Sequence, residues 1–246
     1  FDAHKLSATS LVADAREGLS ALTAALVGWA ASEDHTSRAT RLAAEWDETV
    51  QTAYEVDAHP LPAQSAVIGA VNELSDARDI VLCAAGSMPG DLHKLWRTRD
   101  RKGYHVEYGF SCMGYEIAGG LGVRMAVEDE HTLFDEAGRD VFVMVGDGSY
   151  LMMNTELVTA VAEGIKVIVV LVQNHGFASI GALSESLGSQ RFGTQYRYRT
   201  STGLDGERLP IDLAANAASL GADVIRADGI DDFRKAILAA KASDRT

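Results

Sequence analysis

Two short polar turns carry the residue types that chemistry needs. The first, Gly146-Asp147-Gly148-Ser149, sets a hard carboxylate between two glycines that let the backbone turn tightly and approach a ligand. The second, Gln173-Asn174-His175-Gly176, offers the amide oxygen of Asn174 and the backbone carbonyl of Gly176. Asp147, Asn174 and Gly176 thus supply three protein oxygens. That is too few for a dedicated metal cage but suits Mg²⁺, which fills its remaining octahedral positions with phosphate oxygens and water. The chemistry expected is capture of a diphosphate through Mg²⁺. His175 is expected to face substrate or solvent instead, because Mg²⁺ prefers oxygen.

The two turns meet only if the chain between them returns to the same edge of a sheet. Residues 141–145 and 167–172 are unbroken apolar runs, as in strands covered on both faces of a parallel sheet. Between them, Asn154 is expected to cap a helix running through Val161, and Gly164 to end it. A strand, helix, strand unit closes as a right-handed crossover, so both strands lie parallel with their carboxyl ends at one edge. Open α/β sheets bind ligands at that edge. The fold class read from the sequence is therefore α/β, one doubly wound parallel sheet with an N-terminal helical remnant.

The flanking segments fit that plan. Residues 10–29 and 37–54 carry apolar residues at helical intervals, and 57–62, with two prolines, is an extended connector. A helix over 63–74 and a strand over 80–84 follow, ending in Ala85-Gly86-Ser87, so Gly86 and Ser87 are expected at the same carboxyl edge. Residues 91–96 read as a short helix, 97–102 as a solvated loop and 128–139 as an acidic link. Four glycines between Gly114 and Gly122 are costly in an exposed helix and predict close packing there. Residues 177–199 form a long connection read as a lid, with Arg197 and Arg199 as candidates for polar substrate groups. A helix over 211–220, a strand over 223–227 and a helix over 231–242 complete the chain.

Composition sets outer limits. With 246 residues and 47% hydrophobic content, the chain can bury one substantial core. A net charge of −13 argues against nucleic acid or an anionic membrane as partner, and an acidic chain that binds a diphosphate needs a cation or helix N-termini there. Cys83 and Cys112 lack metal-ligand spacing and suggest no disulfide framework, which points to the cytoplasm. No apolar run is long enough for a membrane span. A nucleotide-binding regulatory module is disfavoured because the chain has no GxxxxGK[ST] motif.

A GDG followed at this distance by an Asn-containing turn resembles the signature of thiamin diphosphate-dependent enzymes, in which the Asp and the Asn hold the metal that clamps the cofactor. The family usually has two adjacent Asn residues; here the first is Gln173, and the ligand position, Asn174, is kept. The stretches HVEYGFSCMGYEIAGGLG, GDGSYLMMNTELVTA and FGTQYRYR resemble more narrowly the members that open a polyhydroxylated cyclic 1,2-dione hydrolytically in myo-inositol breakdown. Acetolactate synthases and 2-oxoacid decarboxylases, which share the metal motif, are the alternative.

The resemblance implies Mg²⁺ on Asp147, Asn174 and Gly176. It implies thiamin diphosphate against Gly86, Ser87, Ser111, Cys112, Met113, Gly146, Asp147, Gly148, Ser149, Asn174, Gly176 and Phe177. Met113 stands where the family places a bulky apolar wedge beneath the cofactor, and His105 and Glu107 are the nearest titratable candidates for substrate chemistry. Residues 1–56 correspond to the helical tail of a middle domain with its linker, and 57–246 to the diphosphate-binding domain. In the family the activating Glu comes from the pyrimidine-binding domain of a second subunit, in a homodimer or tetramer. No Glu here takes that role, so this chain by itself is expected to be inactive.

Overall fold

The computed structural model describes residues 2–128 and 138–246. It divides into two compact units, Phe1–Glu48 and Thr49–Thr246. The first holds α1 Asp2–Lys5, α2 Ala15–Ala25 and most of α3 Glu33–Tyr54. Asp14 caps α2 by accepting from the amides of Arg16 and Glu17. The last turns of α3, with buried Val50 and Tyr54, belong to the second unit.

The second unit is built on a sheet of β1 Ile80–Cys83, β2 Tyr104–Val106, β3 Val141–Gly146 and β4 Ile168–Val172. Their order is β2-β1-β3-β4, and every pairing is parallel. Alternate residues of each strand face opposite ways, and both faces are covered. Val81, Cys83, Phe142, Met144, Ile168 and Val170 pack with α4 Gln64–Leu74, α5 Ser87–Leu95 and α11 Ile230–Ala242. Ile80, Leu82, Val141, Val143, Val145 and Val167 pack with α6 Tyr115–Glu128, α7 Asp147–Met152, α8 Glu156–Ala162 and α10 Leu213–Ser219. The continuous apolar runs of the sequence follow from this double cover. The glycine-rich face of α6 lies directly on β3: a Cβ at Gly120 would enter the Val143 side chain. Gly122, by contrast, borders open space and has no such role.

Several local expectations need correction. No turn separates β3 from its helix: α7 begins at Asp147, breaks after Met152, and α8 follows. Asn154 does not cap α8: its side chain is turned to α10, where its Nδ2 donates to Asn216 Oδ1 at 2.9 Å, and Thr155 takes the cap position without a side-chain bond. Residues 223–227 form no strand, since the Asp223 amide is drawn to the Thr246 carbonyl, 2.8 Å away, instead of the edge of β4. The short helix expected from 91 begins earlier, at Ser87, and His105 lies on a strand, β2. Gly164, at φ 65°, ends the α8 segment as expected. Most of the acidic link, 129–137, lies outside the described residues. No helix among the described residues is long and apolar enough to cross a membrane.

The chain leaves β1 toward β2 on one side, and β3 and β4 lie on the other. The β1/β3 boundary is thus the switch point, the place where open α/β sheets bind ligands at the carboxyl edge.

Candidate functional site

β3 ends at Gly146, which pairs with Val172 of β4, so the start of α7 and the turn beyond β4 lie at the same edge. Asp147 is fully buried there. Its Oδ1 accepts from the Gly148 amide at 2.9 Å and its Oδ2 from the Gly176 amide at 3.1 Å. Burial raises its pKa above the ordinary carboxylate value, against the opposing pull of the Gly176, His175 and Gly148 amides. The Asn174 amide stands 2.9 Å from the Gly176 carbonyl oxygen and 3.3 Å from Asp147 Oδ1. Turning its oxygen inward would set three acceptors against one another, an arrangement that a cation would hold. With the amide turned over, its nitrogen donates to both oxygens and closes the site without one. The imidazole of His175 is engaged elsewhere, its Nδ1 lying 3.3 Å from Gln173 Nε2.

Gly176 is held by a strand-like return of the chain. After α9 Ala178–Ser186, residues 194–196 run antiparallel to the turn: the Phe177 amide donates to Thr194 O at 2.8 Å and the Tyr196 amide to His175 O at 3.1 Å. A Cβ at Gly176 would collide with the Thr194 carbonyl, so only glycine allows this approach. The long connection read as a lid is therefore part helix and part clamp on the oxygen cluster. Arg197 spends its guanidinium on Gln195 Oε1 and Gly206 O, whereas Arg199 is exposed.

A second cluster lies at the β1/β3 switch point and centres on Glu116, which sequence reasoning missed. Glu116 is 1% exposed. It accepts from the Ala85 amide at 3.2 Å, the Gly114 amide at 3.0 Å and the Ser149 hydroxyl at 2.8 and 2.9 Å. Ser149 Oγ in turn accepts from the Gly114 amide at 2.9 Å. One carboxylate thereby joins the turn after β1, the loop before α6 and the first turn of α7. The available signal was a lone charge among small and apolar residues in YEIAGG, on the face that carries Ile117 and Gly120.

The remaining candidates are distributed around these clusters. Gly86 and Ser87 open α5 at the carboxyl end of β1, with Ser87 Oγ 3.5 Å from Gln64 Oε1. Ser111 and Cys112 are exposed in the loop before α6, and Met113 is half-buried. Glu107 organises that loop, its oxygens accepting from the Cys112 amide at 2.7 Å and the Phe110 amide at 3.2 Å. These bonds hold its pKa below the usual carboxylate range. Local desolvation and the neighbouring Glu107 push the exposed Cys112 thiol up. His105 Nε2 lies 2.8 Å from the Tyr115 hydroxyl, with the two rings stacked. Phe177 lies over Gly148, beside the oxygen cluster.

Polar groups gathered at the carboxyl edge of a parallel sheet, beside its switch point, define a class, and comparison agrees. The chain belongs to the thiamine pyrophosphate enzymes: residues 84–246 match the family's C-terminal TPP binding domain, which implies thiamin diphosphate as cofactor. It is 36% identical over 263 residues to the 3D-(3,5/4)-trihydroxycyclohexane-1,2-dione hydrolase of Clostridium tetani (strain Massachusetts / E88), across 96% of this chain and 39% of that protein. The enzyme of the same name from Bacillus cereus (strain AH820) is 36% identical over 267 residues, across 98% of this chain and 40% of its own length. The chain thus spans about two fifths of these curated relatives. Among solved structures, benzoylformate decarboxylase from Polynucleobacter necessarius superposes with a TM-score of 0.63 at 19% identity, across 78% of this chain and 33% of that one. At that identity the likeness shows the fold alone. The family resemblance and the α/β fold class read from the sequence are both borne out.

Proposed function

We propose that the chain supplies the Mg²⁺-diphosphate half of an active site for hydrolytic carbon–carbon cleavage of a polyhydroxylated cyclic 1,2-dione, as the names of its relatives suggest. The observation that carries this reading is the convergence of the Asp147 carboxylate, the Gly176 carbonyl and the Asn174 side-chain amide, which can turn its oxygen inward, at the carboxyl edge. The residues present fit the metal: all three donors are hard oxygens, and a buried carboxylate with a raised pKa gains from a cation beside it. Thiamin diphosphate, when bound, supplies the carbon nucleophile and electron sink that such a cleavage needs.

The chain's own residues do the placing. Asp147, Asn174 and Gly176 would hold Mg²⁺. Gly148, Ser149 and the Gly86-Ser87 turn line the approach to it, with Phe177 packed against Gly148. The Ser111–Met113 loop, set by Glu107 on one side and Glu116 on the other, carries the Met113 wedge. We assign the first residues, through about 56, to the tail of a middle domain. A second subunit would complete the site, and the cytoplasm would be its location.

Calorimetric titration of thiamin diphosphate into this chain, with Mg²⁺ and with EDTA, tests the reading beside Asp147→Ala. Binding that needs both Mg²⁺ and Asp147 supports it; binding indifferent to both overturns it. Substrate class is tested in the full-length enzyme by ring opening of the cyclic dione, set against CO₂ release from pyruvate.

A further inference from the structure

The FGTQYRYR stretch is tied to the oxygen cluster by its backbone, which leaves the question of what its central side chain does. The bond from the Tyr196 amide to His175 O, 3.1 Å, and the pairing of Gln195 with Gly176 hold Tyr196 beside the turn. Its ring stands edge-on to Phe177, with centroids 5.9 Å apart and planes at 78°, and Phe177 itself lies over Gly148. The phenol is thus packed among residues of the proposed diphosphate site.

Its hydroxyl is buried and has no hydrogen-bond partner among the described residues. The contrast is with Tyr150, the other phenol near this edge, whose hydroxyl donates 2.8 Å to Asn216 Oδ1. A buried hydroxyl without a partner is costly, and native proteins seldom keep one unless something not in the chain pairs with it. Burial, and then the Asp147 charge, push the phenol pKa up to about 12, so it keeps its proton at neutral pH and is a donor. Asp147 already uses its two oxygens on the Gly148 and Gly176 amides.

We propose that Tyr196 is a cofactor-binding residue, its hydroxyl donating a hydrogen bond to an oxygen of the diphosphate held at Asp147, Asn174 and Gly176. This rests on the reading of those three groups as the Mg²⁺ site. A diphosphate presents only acceptors to its surroundings, so a protonated phenol with nothing else to bind matches it, and a charge-assisted bond from neutral donor to anion is the stronger kind. The FGTQYRYR stretch then serves the cofactor as well as the loop: its backbone shapes the Gly176 turn and its phenol reaches the anion.

The test uses this chain and its Tyr196→Phe and Asp147→Ala variants, titrated calorimetrically with Mg²⁺-pyrophosphate and with Mg²⁺-thiamin diphosphate. Tyrosine difference absorbance is followed in parallel. Tyr196→Phe is expected to weaken both ligands by about five- to twentyfold. It should also remove a tyrosine signal that the parent chain shows on binding, and leave the melting temperature unchanged or higher because an unpaired hydroxyl is gone. Binding and signal equal to the parent's would overturn the proposal while leaving the metal site intact. Binding that also survives Asp147→Ala would overturn the metal site and the proposal together. A large fall in melting temperature for Tyr196→Phe would show a structural role and count against it.

Discussion

The hydroxyl of Ser149 lies 2.8 and 2.9 Å from the two carboxylate oxygens of Glu116, although the residues stand 33 positions apart. They meet because α6 and α7 pack on the same face of the sheet, both against β3. Glu116 also gathers the amides of Ala85 and Gly114, so a single buried charge sets the spacing of the loops that line the proposed cofactor site.

Removing that charge should loosen those loops. Glu116→Ala leaves the Ala85 amide and the Ser149 hydroxyl without their acceptor and takes one of two from the Gly114 amide, and an expected loss of about 2–5 kcal/mol is read from urea unfolding. Glu116→Gln keeps one acceptor oxygen and should cost less. In a double-mutant cycle with Ser149→Ala, coupling of about 1–3 kcal/mol is expected; simple additivity would show that the pair acts independently.

Proton and metal compete for Asp147. Burial raises its folded pKa, so the metal-free fold holds that proton to higher pH than the unfolded chain does. Stability of the metal-free chain therefore falls as pH rises from the unfolded pKa through the raised folded one. Mg²⁺ binds the ionised form, so the rise in melting temperature that Mg²⁺ confers should shrink as pH falls from neutral through the raised folded pKa. A Mg²⁺ effect that is flat over that range would remove Asp147 from the ligand set.

Glu107 titrates in the opposite sense. Its pKa is depressed by the Cys112 and Phe110 amides, so the order it gives the loop is present above the unfolded pKa and is lost as pH falls through the folded one. Glu107→Gln should also speed alkylation of exposed Cys112 at about pH 8, because the carboxylate helps to hold that thiol's pKa up. Cys83 is the internal control, since burial pushes its pKa up to about 12 and shields it. Equal labelling rates for Cys112 in both proteins would contradict the contact.

Gly176→Ala should damage the oxygen cluster with little effect on the sheet. The new Cβ meets the Thr194 carbonyl, which is backbone and cannot swing away. Opening the 194–196 clamp should cost about 1–3 kcal/mol and abolish the Mg²⁺-dependent rise in melting temperature. An unaltered Mg²⁺ response would place the metal away from this turn.

Strand and crossover patterns were legible in the sequence because they are local. Apolar runs at 141–145 and 167–172 mark doubly covered strands, and polar residues after them mark the edge. The proximity of Asp147 and Asn174 followed from the handedness of one crossover, which needs no knowledge of distant residues. What failed locally failed for a distant reason: Asn154 gives up its cap to Asn216, and the segment 223–227 loses its strand to a bond with Thr246.

Two features of the site were decided by tertiary structure alone. Glu116 reads in sequence as an unremarkable helix charge, and only burial at a switch point, beside amides from two other loops, makes it a clamp. Tyr196 reads as one polar residue in a long loop. Its placement comes from backbone pairing with residues some twenty positions earlier, a register that no side-chain pattern announces. The sequence by itself determined the parallel α/β plan and the shared edge of β3 and β4, because these depend on periodicity and one chiral connection. The three-dimensional fold decided which buried polar groups face that edge, because that depends on which separate loops come to share it.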